Sequence, residues 1–331
     1  MTTSLVARRT GLAGLLTAET LSRQAAAGAA VSALGIFDQG FYDRFGYGTG
    51  PYERWIDFDP ANLRVPKDCR PPRRLTIDDH EAMHRACMGR LRGHGAVNLT
   101  SLPAFETELL WTEKPFGLGY FDGPGGELTH FIWGEMKDEY GPFNITWRAY
   151  QDHGQLMELL SLIRSLSDQV NMVGTLEFGE VQLQDLIDRP FRNRRASVKG
   201  RFEQGVRAMA YWQARILDLP ACIRACHFDR GVRFNLELTD PAPAHLPEGN
   251  NWSGVSGAYT VDLGPESSVS NGTSASLPTL KASVNTFSRL WLGARPASSL
   301  AITDDFEAEP RLIRDLDSVI TLPPPHLGWD F

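Results

Sequence analysis

Cysteine is scarce. Cys69, Cys87, Cys222 and Cys226 are the only four in 331 residues, too few and too scattered for the disulfide framework of a small secreted domain. Long apolar runs are missing too: none approaches the roughly 20 residues of a membrane-spanning helix, so no membrane partner is expected and the location expected is cytoplasmic. Nor is there an excess of positive charge. Lys plus Arg number 33 against 40 Asp plus Glu, a net charge of −7, which argues against nucleic acid as a partner and for cationic ligands. What remains is an ordinary globular composition, 42% hydrophobic and 22% charged, long enough for two or three domains at about 150 residues each.

Near the amino end, Arg8-Arg9-Thr10-Gly11-Leu12-Ala13 opens an Ala-rich stretch. A twin-arginine export signal needs an uninterrupted apolar core, and Glu19, Arg23 and Gln24 interrupt this one. Leu12, Leu15, Leu16 and Leu21 instead form a rough helical stripe. Gly28 stops the helix, and residues 29–37 read as a buried strand. In Arg8-x-x-Gly11-x-Ala13 the glycine permits close backbone approach, and the N–H groups of the helix start, with the dipole behind them, favour an anion such as pyrophosphate. The same residues equally fit an ordinary helix start.

The next segment, Gly40-Phe41-Tyr42-Asp43-Arg44-Phe45-Gly46-Tyr47-Gly48, has three glycines and four aromatics in nine residues. It reads as a constrained turn presenting a phenol. Together with the Arg-x-x-Gly-x-Ala loop, this segment resembles the Eis (enhanced intracellular survival) group of GCN5-related N-acetyltransferases, whose hallmark runs Gly-Ile-Tyr-x-Arg-Phe-Gly-Tyr-Gly. The resemblance implies that Arg8, Arg9, Gly11, Leu12, Ala13 and Gly14 bind the pyrophosphate of acetyl-CoA. It also implies that Tyr42 is the general acid that protonates the departing thiolate, a role a neutral phenol can fill. The free carboxylate of Phe331 is implied as the base, and Asp38, Asp43 and Asp330 are candidates to face the amine. The implied substrate is a small cationic molecule or a lysine-like amine, and the implied assembly is a homo-oligomer. Asp43 departs from the glycine frequent at that place in the hallmark.

The implied fold is mixed α/β: a first acetyltransferase lobe over residues 1–62, a second lobe without its own cofactor loop over 63–207, and a sterol-carrier-protein-like domain over 208–331. The stretch 59–74 is rich in Pro and charge and reads as a linker. Thr76-Ile77-Asp78-Asp79 caps a helix running to about Arg92. Strands are expected near 108–111, 116–121, 129–136 and 143–149, then a helix over 153–167. In the last third, a strand and short helix over 214–223, alternation at Val232, Phe234, Leu236 and Leu238, and the stretch Ser288-Arg289-Leu290-Trp291-Leu292-Gly293-Ala294-Arg295 carry the carrier-like resemblance. Residues 264–279, rich in Ser, Gly and Asn, read as a mobile loop. Only seven residues precede the Arg-x-x-Gly loop, so the first lobe is expected to be short of its early strands. The alternative to an acetyltransferase is therefore a non-catalytic scaffold.

Two further signals compete. His80-Glu81-Ala82-Met83-His84 matches the His-Glu-x-x-His zinc-peptidase pattern, but the longer metzincin pattern fails and nothing selects a third ligand, so no metal is expected. Seven basic residues fall between 189 and 207 (Arg189, Arg192, Arg194, Arg195, Lys199, Arg201, Arg207). With few aromatics among them, they read as a solvated connector or subunit contact.

Overall fold

The computed structural model describes residues 4, 6, 8–36, 38–98, 100–179, 181–190, 200 and 202–328. Asp330 and Phe331 lie outside these, as do Phe37 and Arg192, Arg194, Arg195, Lys199 and Arg201.

Helix α1 (Leu12–Ala26) ends ahead of Gly28, whose φ of +84° supplies the left-handed stop that a side chain resists. β1 (Val31–Gly35), α2 (Gln39–Asp43), β2 (Gly48–Thr49) and β3 (Glu53–Phe58) follow. After β4 (Arg73–Leu75), Thr76 and Asp79 form a reciprocal capping box leading into α3 (His80–Met88). α4 (Leu102–Leu110) stands where a strand was expected near 108–111. Its buried pair is Phe105 and Leu109, four residues apart on one face, while Leu110 and Trp111, 62% and 73% exposed, produce the misleading apolar run. β5 (Pro115–Tyr120), β6 (His130–Met136), β7 (Phe143–Ala149) and α5 (His153–Ser165) agree with the sequence pattern, and Leu156, Leu159, Leu160 and Ile163 form the buried stripe of α5.

β8 (Val173–Leu176), β9 (Gly205–Met209), β10 (Trp212–Ile216), α6 (Leu219–Arg224), β11 (Val232–Thr239) and β12 (Gly257–Leu263) come next. β13 (Ser268–Asn271) lies in the stretch expected to be a loop. One apolar residue in four leaves no alternation to read, and the strand is defined by backbone pairing to β12. β14 (Thr279–Ser283), α7 (Val284–Trp291), α8 (Ala297–Thr303), β15 (Phe306–Glu307) and α9 (Pro310–Val319) complete the order.

The chain divides into two compact units, residues up to 52 with 210–325 and residues 53–209 with 326–328. These borders differ from 62 and 207, and the amino-terminal segment shares a unit with the last third of the chain. The unit built on 53–209 holds a seven-stranded sheet, β4-β5-β6-β7-β8-β3-β9. It is antiparallel except for β7 and β8, which run parallel and are joined through α5. One face packs α5 against Ile56, Phe58, Ile132 and Ile145, and the other packs Met83, Phe105 and Leu109 against Phe131, Trp133 and Trp147. β6 contributes to both faces, which is why Phe131, Ile132 and Trp133 are consecutive apolar residues without alternation. The other unit holds a five-stranded sheet, β13-β12-β11-β14-β15, and a three-stranded sheet, β1-β10-β2. Phe234, Leu236 and Leu238 of β11 pack there with α7 and α9.

The two units repeat one motif with an exchange of strands. In the first, α1 leads to β1 and then β2, and β10 inserts between them, antiparallel to both. In the second, α5 leads to β8 and then β9, and β3 inserts between them, antiparallel to both. Each inserted strand follows, in the chain, the last strand of the other unit's motif. The copies differ on one side. β8 has the parallel neighbour β7, whereas among the described residues β1 pairs with β10 alone.

Candidate functional site

At the start of α1, Gly11 is the N-cap with φ +82°, and no side chain caps the helix. The Leu15 N–H donates to the Gly11 carbonyl at 3.0 Å and closes the first turn. The N–H groups before it are the ones a helix leaves without an intrahelical acceptor. Arg8 and Arg9 are exposed beside this end. The counterpart helix α5 is different: Asp152 caps it by accepting from the Gln155 N–H at 2.9 Å. A carboxylate thus holds the place where an anion would sit on α5, and no capping side chain does so on α1.

The hallmark segment packs against this helix. A Cβ added to Gly14, in the first turn of α1, would stand 3.4 Å from the Phe45 ring. The expected turn is in fact a short helix, α2, and Asp38 caps it by accepting from the Phe41 N–H at 3.3 Å. One Asp38 carboxylate oxygen is thereby engaged at the start of α2. Of the two phenols, Tyr47 is buried and its hydroxyl pairs with that of Ser32 at 2.7 Å. Burial pushes its pKa up. Tyr42 is half-buried and held by ring contacts, 5.0 Å to Phe41 and 6.0 Å to Tyr47.

Groups from far along the chain fix the segment from below. Gln213, fully buried, donates from Nε2 to Asp43 Oδ1 at 2.6 Å and to Thr49 Oγ1 at 3.2 Å. Burial raises the Asp43 pKa, opposed by that hydrogen bond and by the Arg289 guanidinium. Arg289 is itself held by Asp304 at 2.7 Å. Asn285 donates to the carbonyls of Asp43 and Tyr47 at 2.7 and 3.0 Å. Arg215 and Asp240, with fully buried side chains, form an ion pair, and the Arg215 guanidinium also donates to the Phe45 carbonyl. The hallmark glycines admit these neighbours. A Cβ on Gly46, at φ +83°, would stand 2.5 Å from Val284 Cγ1, and one on Gly48 would stand 2.3 Å from the Asn285 carbonyl oxygen.

Sequence reasoning missed Gln213, Arg215, Asp240, Asn285 and Asp304. The signal for Arg289 was present in the 288–295 stretch, whose role as a floor under the hallmark sequence could not reveal. Asp330 and Phe331 are not described, but the residues leading to them are anchored in the unit built on 53–209. Leu327 is buried, and its carbonyl accepts from the Val97 N–H at 3.1 Å and from Arg90 at 3.3 Å. The His326 N–H donates to the His94 carbonyl at 2.9 Å.

The zinc-peptidase pattern does not assemble. His80 Nδ1 lies 3.0 Å from the Ile77 carbonyl oxygen and His84 Nε2 lies 3.0 Å from that of Thr100, while Glu81 pairs with Arg85. Among the described residues, the one grouping of three metal-ligating side chains is Asp122, His130 and Glu158. Arg70 already bridges its two carboxylates at 2.7 and 2.6 Å.

No family model and no curated protein matches the chain. Solved structures do. Eis1 from Mycobacterium abscessus superposes with a TM-score of 0.75 at 17% identity, over 98% of this chain and 79% of that one. A GCN5-related N-acetyltransferase from Kribbella flavida gives 0.71 at 18%, over 99% and 77%, and one from Anabaena variabilis gives 0.73 at 15%, over 98% and 79%. The fold of this chain is that of the GCN5-related N-acetyltransferases, mixed α/β, as the sequence resemblance implied. No described helix is long and apolar enough to cross a membrane.

Proposed function

We propose that the protein is an acetyl-CoA-dependent N-acetyltransferase of the Eis type, acting on a primary amine of a cationic small molecule or lysine-like group. The observation that carries this reading is the uncapped, glycine-started amino end of α1 with the hallmark segment packed on its first turn. Arg8, Arg9 and the Gly11, Leu12, Ala13 and Gly14 amides would hold the pyrophosphate, and the bound thioester supplies an activated acetyl group. The amine nitrogen attacks the thioester carbonyl and the carbon–sulfur bond breaks. The thiolate takes the Tyr42 hydroxyl proton, and the amine proton passes to a base, assigned to the Phe331 carboxylate. Asp38, Asp43 and Asp330 are assigned to face the cationic substrate, in keeping with the net charge of −7. The reading includes a shortened first lobe, a sterol-carrier-like last third, a homo-oligomer and a cytoplasmic location.

Thiol release from acetyl-CoA with spermidine and lysine tests it. We expect turnover, with Tyr42→Phe lowering kcat by about 10²–10⁴-fold at unchanged coenzyme A affinity. No thiol release with any amine overturns it. The pairing of β1 with β10 alone among the described residues favours a second reading, a non-catalytic scaffold, because a parallel neighbour like β7 beside β8 is where an extended cofactor arm would find backbone partners. Thermal melting separates the two: coenzyme A at 100 times its Kd stabilises a binder by about 2.7 kcal/mol and leaves a scaffold unmoved.

A further inference from the structure

At the other end of α1 the same unit opens into a groove of about 590 Å³, lined by the last turn of the helix (Ser22, Ala25, Ala26), residues 217–220, the 250–255 loop, Tyr259 and Asn271. At about 1.5 Å per helical residue, it lies well away from the start of α1. Leu217, Leu219 and Val255 form a buried apolar floor. Above it stand the partly exposed rings of Trp252 and Tyr259 and the exposed amides of Asn250, Asn251 and Asn271. Asn251 and Asn271 both belong to Asn-x-Ser/Thr sequences. Among the described residues, the one charged group lining the groove is Asp218, and it is engaged as the α6 N-cap, accepting from the Ala221 N–H at 2.9 Å.

The wall is built in place. Asn250 Oδ1 accepts from Ser22 at 3.2 Å and from the Trp252 N–H at 2.9 Å. The Val255 N–H donates to Asp240 at 3.0 Å, and Gly254 lies so close to that carboxylate that a Cβ would stand 2.4 Å from it. The Arg215 guanidinium sits 5.4 Å from the Trp252 ring centre. Trp252 is thus held by the same buried ion pair that fixes the Phe45 carbonyl.

Among the described residues lining this groove, an anion finds no cation, and a polycation finds a single carboxylate already in use. Aromatic rings beside side-chain amides, which both donate and accept, suit a neutral ring bearing many hydroxyls. We infer that the groove is a binding site for a neutral saccharide, its ring stacked on Trp252 or Tyr259 and its hydroxyls bonded to Asn251 and Asn271. This inference is independent of the acyl-transfer reading.

Calorimetric titration of the full chain with maltotriose, triacetylchitotriose and spermidine tests it. We expect saturable binding of at least one trisaccharide, weakened about 5–10-fold in each of Asn251→Ala and Asn271→Ala, the loss of one or two hydrogen bonds. Both residues are exposed, so the variants retain the fold, checked by unchanged melting. No saturable binding of either sugar at about 10 mM, binding indifferent to both substitutions, or spermidine binding that the substitutions abolish, overturns it.

Discussion

Gly48 and Gly14 belong to the two motifs that define the candidate site, yet their substitution is expected to act in opposite directions. A Cβ on Gly48 meets the Asn285 backbone at 2.3 Å, an atom that cannot move without shifting α7, so Gly48→Ala should destabilise by about 3 kcal/mol. A Cβ on Gly14 meets the Phe45 ring at ordinary contact distance, 3.4 Å, so Gly14→Ala should be neutral or stabilise by about 0.5–1 kcal/mol. Urea unfolding of both variants reads the two signs. Asp240→Asn leaves the Arg215 charge buried and unpaired, and should cost about 3–5 kcal/mol in the same assay. The hallmark was legible because its residues are consecutive. Its supports were not: Gln213 and Arg215 reach Asp43 and Phe45 across 170 residues of chain, and no local pattern records such a contact.

Elements were legible where burial imposes a period. α5 shows a stripe because one face lies on a core, and β7 shows an alternation whose buried residues pass from one core at Phe143 and Ile145 to the other at Trp147 and Ala149. α4 and β13 were misread for opposite reasons, α4 because exposed apolar residues extend its end and β13 because a polar edge strand pairs through its backbone. The contrast between α1 and α5 lay beyond a sequence pattern as well, since it rests on which side chain accepts the first N–H groups. Asp152→Ala removes the α5 cap and should cost about 1 kcal/mol of stability. The anchored segment 326–328 supplies a pH test. Burial, with Arg148 and Arg90 nearby, pushes the His326 pKa down to about 4 from its usual 6.5. Between those values the unfolded chain binds a proton that the folded one does not, so stability falls as pH drops through that window and is regained above it. From pH 7 to pH 5 the loss attributable to His326 should be about 2 kcal/mol, and His326→Gln should flatten that part of the profile.

At the scale of the whole molecule, the exchange of β3 and β10 explains why consecutive borders cannot partition this chain. Each unit needs one strand that the chain delivers from the neighbouring motif. The repeat also locates the difference between the copies. In one, β4 to β7 continue the sheet beyond β8, whereas in the other β1 has one strand neighbour among the described residues. The matched structures extend further than this chain, which spans 77–79% of their lengths.

The proposed activity requires the amino end of α1 to be an anion site of the kind Asp152 closes on α5. Calorimetric titration of coenzyme A into the wild-type chain and into Gly11→Asp, which places a carboxylate at the same N-cap position, tests it most directly. Saturable binding to the wild type is expected, with at least a tenfold loss, about 1.4 kcal/mol, in the variant, whose melting temperature falls modestly because a side chain at φ +82° is strained. Equal affinity in both proteins, or no binding by the wild type, would contradict it.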